Sequence, residues 1–126
     1  MLRKFSCFLI FLFFSCSKIY VHKEATFSSY YKKKSSKILI DVRTPEEFKS
    51  GQAIEAINID FYNENFETDL LKISRNKEIY LYCRSGRRSG IASQFLIENG
   101  YRNVYNIDGG TIKMDSIYLN SSTFNN

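Results

Sequence analysis

Cys83-Arg84-Ser85-Gly86-Arg87-Arg88-Ser89 is the stretch whose residue types and spacing are best suited to chemistry. Glu78 to Tyr82 precede it, and their β-branched and aromatic content predicts a strand. Ser89 to Ile97 follow, with an apolar face at Ala92, Phe95 and Leu96 that predicts a helix. The cysteine is therefore expected where a strand ends, in an arginine-rich loop that feeds a helix N-terminus. The first N–H groups of a helix have no internal partners, and the helix dipole makes that end partly positive. A loop of such N–H groups can wrap an anion. A thiolate is an anion, so the cysteine pKa should fall from about 8.5 into the ~3.5–7.5 range. Arg84, Arg87 and Arg88 would add to the effect. The expected chemistry is that of an ionised sulfur nucleophile that needs no histidine base. Gly86 is expected to take a backbone angle closed to other residues. The competing reading, an inert buried thiol, fits poorly beside three arginines and a helix start.

The elements that must position this loop follow from the rest of the chain. Lys37 to Val42 form a continuous apolar run of strand length, as in a strand buried on both faces of a parallel sheet. Thr44 then reads as an N-cap, Pro45 as the first helical residue, and Glu46 and Glu47 suit the positive helix end. Gly51 closes that helix. Ala56 to Ile59 make a short strand, Phe66 to Ile73 a helix, and Asn76-Lys77 the turn into the central strand. Asn99-Gly100 suits a left-handed C-cap. Val104 to Ile107 form the last strand, and Asp108-Gly109-Gly110 a tight turn. A further short helix is expected over Thr26 to Lys33. Strands and helices alternate, which predicts an α/β domain with a mostly parallel central sheet flanked by helices. Ligands of such sheets bind beyond the carboxyl ends of the strands, where Asp41, Cys83 and Asp108 fall.

With 126 residues the chain has room for one domain. Its net charge of +5 falls to +3 without Arg3 and Lys4, the only charges among the first fifteen residues. That small excess does not point to nucleic acid, and a solvated lysine-rich surface explains it. His22 is the only histidine, so neither a metal site nor a Cys–His pair is expected. No dinucleotide or P-loop glycine pattern occurs, and no cofactor is expected.

At the N-terminus, Arg3-Lys4 precede an apolar run from Phe5 to Phe14 and then Ser15-Cys16. This pattern describes an export signal, too short to span a bilayer, which takes roughly 20 residues. Its end resembles a bacterial lipobox, with Cys16 lipidated, although Phe13 stands where leucine is usual. An ordinary cleaved signal and an uncleaved anchor are the alternatives. The expected organisation is a signal over 1–15, a tether over 16–25, a domain over 26–116 and a mobile tail over 117–126. Cys7 would then be removed and Cys16 capped, leaving Cys83 as the one free thiol, whose resolving partner must come from another molecule. Lys32-Lys33-Lys34 form a basic cluster, read as a solvated face with anionic headgroups as the alternative contact.

Four motifs in order resemble a single-domain rhodanese, the thiosulfate sulfurtransferase family: Asp41 to Phe48, Gly51 to Ile59, Cys83 to Ser89 and Val104 to Gly110. The resemblance covers about Ile38 to Ile112. It implies that Cys83 takes a sulfane sulfur from a donor as a persulfide and passes it to a nucleophilic acceptor, a thiol or cyanide. Gln52-Ala53 stand where the family often has His-Ile, Glu55 where it often has Gly, and Met114 near a common Trp. These departures concern the pocket wall. Cysteine phosphatases place five residues between cysteine and arginine, whereas four separate Cys83 from Arg88. The smaller ring suits a persulfide better than a tetrahedral oxyanion.

In this reading the N–H groups of Arg84 to Ser89 hold the anionic sulfur, and Arg84 and Arg87 face the mouth and attract anionic donors such as thiosulfate. Arg88 either turns inward to pair with Glu47 or Asp41, or stays exposed. Asp41 and Arg43 either support the site or simply close the strand end. The expected protein is a sulfurtransferase, exported and lipid-anchored to a bacterial membrane, that exchanges sulfur with small anionic donors and thiol acceptors, including a thiol-bearing protein. A non-catalytic module of the same fold, which binds a partner or senses sulfane sulfur, is the alternative.

Overall fold

Residues 20–120 are described by the computed structural model. The expected signal over 1–15, which includes Cys7, the first part of the expected tether, which includes Cys16, and residues 121–126 lie outside it. The main sheet has five parallel strands in the order β1-β6-β5-β2-β4. These are β1 (Lys23–Ala25), β2 (Lys37–Asp41), β4 (Ile57–Asn58), β5 (Glu78–Tyr82) and β6 (Val104–Ile107). Helices α1 (Phe27–Lys32), α2 (Pro45–Ser50), α3 (Phe66–Leu70) and α4 (Arg87–Glu98) alternate with them. A small antiparallel ladder joins β3 (Gln52–Ala53) to β7 (Leu119–Asn120). The architecture is a single α/β domain with a parallel sheet covered on both faces.

Alternation along β2 and β5 divides the core in two. Ile40, Val42, Ile79, Leu81 and Cys83 face α3 and α4, where they meet Phe66, Leu70, Ala92 and Leu96. Leu39, Tyr80 and Tyr82 face α1, where they meet Phe27 and Tyr30. Continuous apolar runs in β2 and β5 follow from this double burial. The starts of α1 and α2 are capped by side chains: Thr26 with Ser29, and Thr44 with Glu47, both form reciprocal capping boxes.

Four expectations need correction. The expected tether ends in β1, which pairs in register with β6 through Lys23–Tyr105 and Ala25–Ile107. Three residues are too few to carry a readable period, so only the neighbouring strand reveals them. The expected mobile tail contains a 3₁₀ turn over Ser116–Tyr118 and β7. Tyr118 stacks on Tyr31 at 4.7 Å, and the Ile54 N–H donates to the Tyr118 carbonyl at 2.9 Å. Helix α3 stops at Leu70, because the next bonds, Lys72 N to Asp69 O and Ile73 N to Leu70 O, are of the tighter three-residue type. Helix α4 starts at Arg87, two residues ahead of the expected Ser89.

Candidate active site

Cys83 follows β5 directly, on the α4 side of the sheet, and is 1% exposed. Gly86, at φ 96°, turns the chain back into α4 in the left-handed region. That turn aims the Gly86 N–H at Cys83 Sγ, 3.1 Å away. The Ser89 hydroxyl lies 3.4 Å from the same sulfur. Burial pushes the thiol pKa up, but the Ser89 hydroxyl and the N–H groups of Ser89, Gly86 and Ser85 outweigh it, so the net shift is downward. The groups that favour the thiolate are thus those of Ser85, Gly86 and Ser89, a tighter set than the whole run from Arg84 to Ser89.

The arginines divide. Arg84 and Arg87 are exposed, and neither meets a carboxylate among the described residues. Arg88 turns back onto α2 instead, donating to Glu47 Oε2 at 2.8 Å and Oε1 at 2.9 Å. This fork–fork geometry is among the strongest side-chain pairs. The Arg88 guanidinium holds the Glu47 carboxyl at about 2. Of the two partners weighed for Arg88, the structure selects Glu47. Asp41, fully buried, belongs to Arg43: Nε lies 3.0 Å from both carboxylate oxygens and Nη2 2.7 Å from Oδ2. Arg43 also reaches the Gly51 carbonyl at 2.7 Å, and Asn58 donates to the carbonyls of Asp41 and Arg43. The Asp41–Arg43 pair therefore closes the end of β2 and ties it to the turn after α2. Asp108, also at a strand end, pairs with Lys113 on the surface.

Asn106 was absent from the candidate residues. It lies in β6, 6% exposed, with its amide between loop and helix. Nδ2 donates to the Gly86 carbonyl at 3.2 Å, and Oδ1 accepts from the Ser89 hydroxyl at 2.7 Å. The signal available in the sequence was an amide side chain inside an otherwise apolar strand. The turn after β6 completes the cradle. Thr111 N donates to Cys83 O at 2.9 Å and Ile112 N to Arg84 O at 3.2 Å. Gly110 sits so close that a Cβ there would collide with the Cys83 carbonyl.

The site can hold a sulfur anion at the floor of a positively lined loop, with the nucleophile's charge satisfied by fixed dipoles. No group of carboxylate, histidine or cysteine side chains among the described residues is arranged to hold a metal ion.

Comparison with known proteins agrees with this geometry. The model of the rhodanese-like domain matches residues 26–114. The YqhL protein of Bacillus subtilis is 42% identical over 72 residues, which cover 57% of this chain and 56% of that one. A sulfurtransferase of Allochromatium vinosum is 33% identical over 75 residues, covering 60% of this chain and 68% of its own length. A tRNA uridine(34) hydroxylase of Buchnera aphidicola is 39% identical over 80 residues, but the match spans only 26% of that protein. Among solved structures, a rhodanese-like protein of Staphylococcus aureus superposes with a TM-score of 0.68 at 24% identity, over 80% of this chain and 99% of that chain. A rhodanese of E. coli, solved with anions, gives 0.51 at 35% identity over 62% of this chain and 91% of that one. The chain belongs to the rhodanese-like domain family.

Proposed function

We propose that the protein is a sulfurtransferase that carries a sulfane sulfur on Cys83. The observation that supports this most directly is the Gly86 N–H and the Ser89 hydroxyl converging on Cys83 Sγ. With thiosulfate as donor, the Cys83 thiolate attacks the outer sulfur, a new S–S bond forms, the old one breaks and sulfite leaves with its electron pair. Cyanide or a thiolate then attacks the outer sulfur of the persulfide, and the Cys83 thiolate is restored. No external oxidant or reductant enters the cycle. Negative charge moves by one sulfur atom in each step, and the Ser85, Gly86 and Ser89 donors remain within reach of it. Arg84 and Arg87, exposed at the mouth, attract the anionic donor, while Arg88 and Glu47 hold the loop against α2.

The sulfurtransferase relative supports this reading. The tRNA hydroxylases share only a segment with this chain, so their named reaction is a weaker guide. Intact mass after thiosulfate treatment tests the half-reaction: a gain of one sulfur atom, lost on adding cyanide, is expected for the wild type and absent from Cys83→Ser. Equal background rates of thiosulfate:cyanide transfer in both proteins would overturn the assignment and favour a binding module.

Residues 1–15 direct export in this proposal, and Cys16 carries a lipid that anchors the domain to a bacterial membrane. The support is the basic start, the Phe5–Phe14 run and Ser15-Cys16. Cys16→Ala should move the protein from the membrane to the soluble fraction, and retention at the membrane would overturn the lipid anchor.

A further inference from the structure

Because the main sheet is parallel throughout, β2, β5 and β6 begin at one pole of the molecule and Cys83 lies at the other, with β1 and β4 starting part-way along them. Five steps of about 3.3 Å separate Glu78 from Cys83, or roughly 16 Å. The starting pole is basic. Lys23 opens β1, Lys32, Lys33 and Lys34 lead into β2, Lys77 leads into β5 and Arg102 into β6, and all six are exposed. The carboxylates at this pole are few. Glu78 pairs with Lys33 at 2.7 Å, Asp69 is taken up by Lys72, and Glu98 ends α4. Lys32, Lys34, Lys77 and Arg102 meet no carboxylate among the described residues.

Apolar surface lies among these cations. Tyr20 is 48% exposed, Val21 60% and Leu71 42%. Arg102 stands over the Tyr20 ring at 5.0 Å, and Lys23 over the Tyr105 ring at 5.4 Å. Only three residues separate Cys16, the lipid-bearing residue of the proposed anchor, from Tyr20.

We propose that this pole docks on an anionic phospholipid surface and thereby turns the Cys83 loop toward the aqueous phase. Lysines within a Debye length of an acidic leaflet are drawn to it, and a tyrosine beside them suits the headgroup level. The same cations would also attract nucleic-acid phosphates. The exposed apolar residues interspersed with them favour lipid, as does the lipid that the proposed anchor puts on Cys16. This surface is independent of sulfur transfer, because it lies at the opposite end of the strands and uses none of the loop residues.

The test uses the processed chain, residues 16–126, with Cys16→Ser, sedimented with vesicles of phosphatidylcholine alone or mixed with phosphatidylglycerol. Partition should be tighter on the anionic vesicles and weaken as salt rises. Replacing Lys32, Lys34 and Lys77 by Gln should lower that partition roughly five-fold per lysine. Lys113→Gln, at the Cys83 pole, should leave it unchanged. The alkylation rate of Cys83 should be the same in free wild type, in vesicle-bound wild type and in the triple variant, which reports both an intact fold and an outward-facing loop. Equal partition into both vesicle types, indifference to the triple substitution, slowed alkylation on vesicles, or tighter binding to single-stranded DNA than to anionic vesicles would each overturn the proposal.

Discussion

Ser89 has one hydroxyl hydrogen and two acceptors, Asn106 Oδ1 at 2.7 Å and Cys83 Sγ at 3.4 Å. With Cys83 neutral, the shorter bond to Asn106 holds that hydrogen. An ionised Cys83 competes for it, since a bond to a charged acceptor is roughly twice as strong as a neutral one. The Gly86 N–H has no such alternative and stays on the sulfur. Three predictions belong to this scale. Iodoacetamide should alkylate Cys83 at pH 7 faster than an ordinary thiol, with the rate falling only below the usual value of about 8.5. Ser89→Ala should raise the apparent thiol pKa, because the hydroxyl that helps to lower it is lost. Asn106→Asp should raise it too, because the new carboxylate retains the Ser89 hydrogen more strongly and repels the thiolate. The pH profile of alkylation reads both, and an unmoved profile in both variants would show that the amides alone hold the charge.

Between elements, the Glu47–Arg88 fork joins α2 to the start of α4 and so stiffens the loop from both sides. Glu47 is held at about 2, below its ordinary 4.5. A carboxylate lowered on folding stabilises the protein above its unfolded pKa, and that stabilisation is lost as pH falls through the folded value. Glu47→Gln should therefore cost on the order of 1 kcal/mol at pH 7, since the pair is partly solvated. The urea midpoints of the variant and the wild type should converge as pH drops from about 4.5 toward 2. Glu55 takes φ 69° in the turn between β3 and β4, where a side chain strains the backbone. This is the position at which a glycine is usual in the resembling sequences. Glu55→Gly should leave the fold intact and stabilise it by up to about 1 kcal/mol, read as a raised thermal midpoint.

Over the whole molecule, closure depends on the segment after the last parallel strand. Tyr118 stacks on Tyr31 and lies 6.5 Å from Phe27, and Leu119 with Asn120 pairs the edge formed by β3. Ending the chain after Met114 would uncover Ala53 and the α1 aromatics. The loss should be about 3 kcal/mol, from one aromatic and one leucine returned to water, and a urea titration would read it. Sulfur loading of Cys83 should survive that truncation at low temperature, because the cradle ends at Thr111 and Ile112.

The strand–loop–helix around Cys83 and the parallel α/β class were legible in the sequence, because each is a local pattern. An apolar run, a glycine at the turn and a helix period carry their meaning within about ten residues. The lowered thiol was legible for the same reason: the amides that hold it follow the cysteine directly. What required the tertiary structure lies farther along the chain. Sequence reading allowed Arg88 either of two carboxylates, and the register of β2 beside β5 left Glu47 within reach while Arg43 occupied Asp41. Asn106 entered the site because β6 lies next to β5, 17 residues beyond Ser89. The three residues of β1 and the two of β7 became strands only through their partners. Short strands have no period of their own, and a side chain's partner is set by which strands lie side by side, a choice made by burying both sheet faces at once.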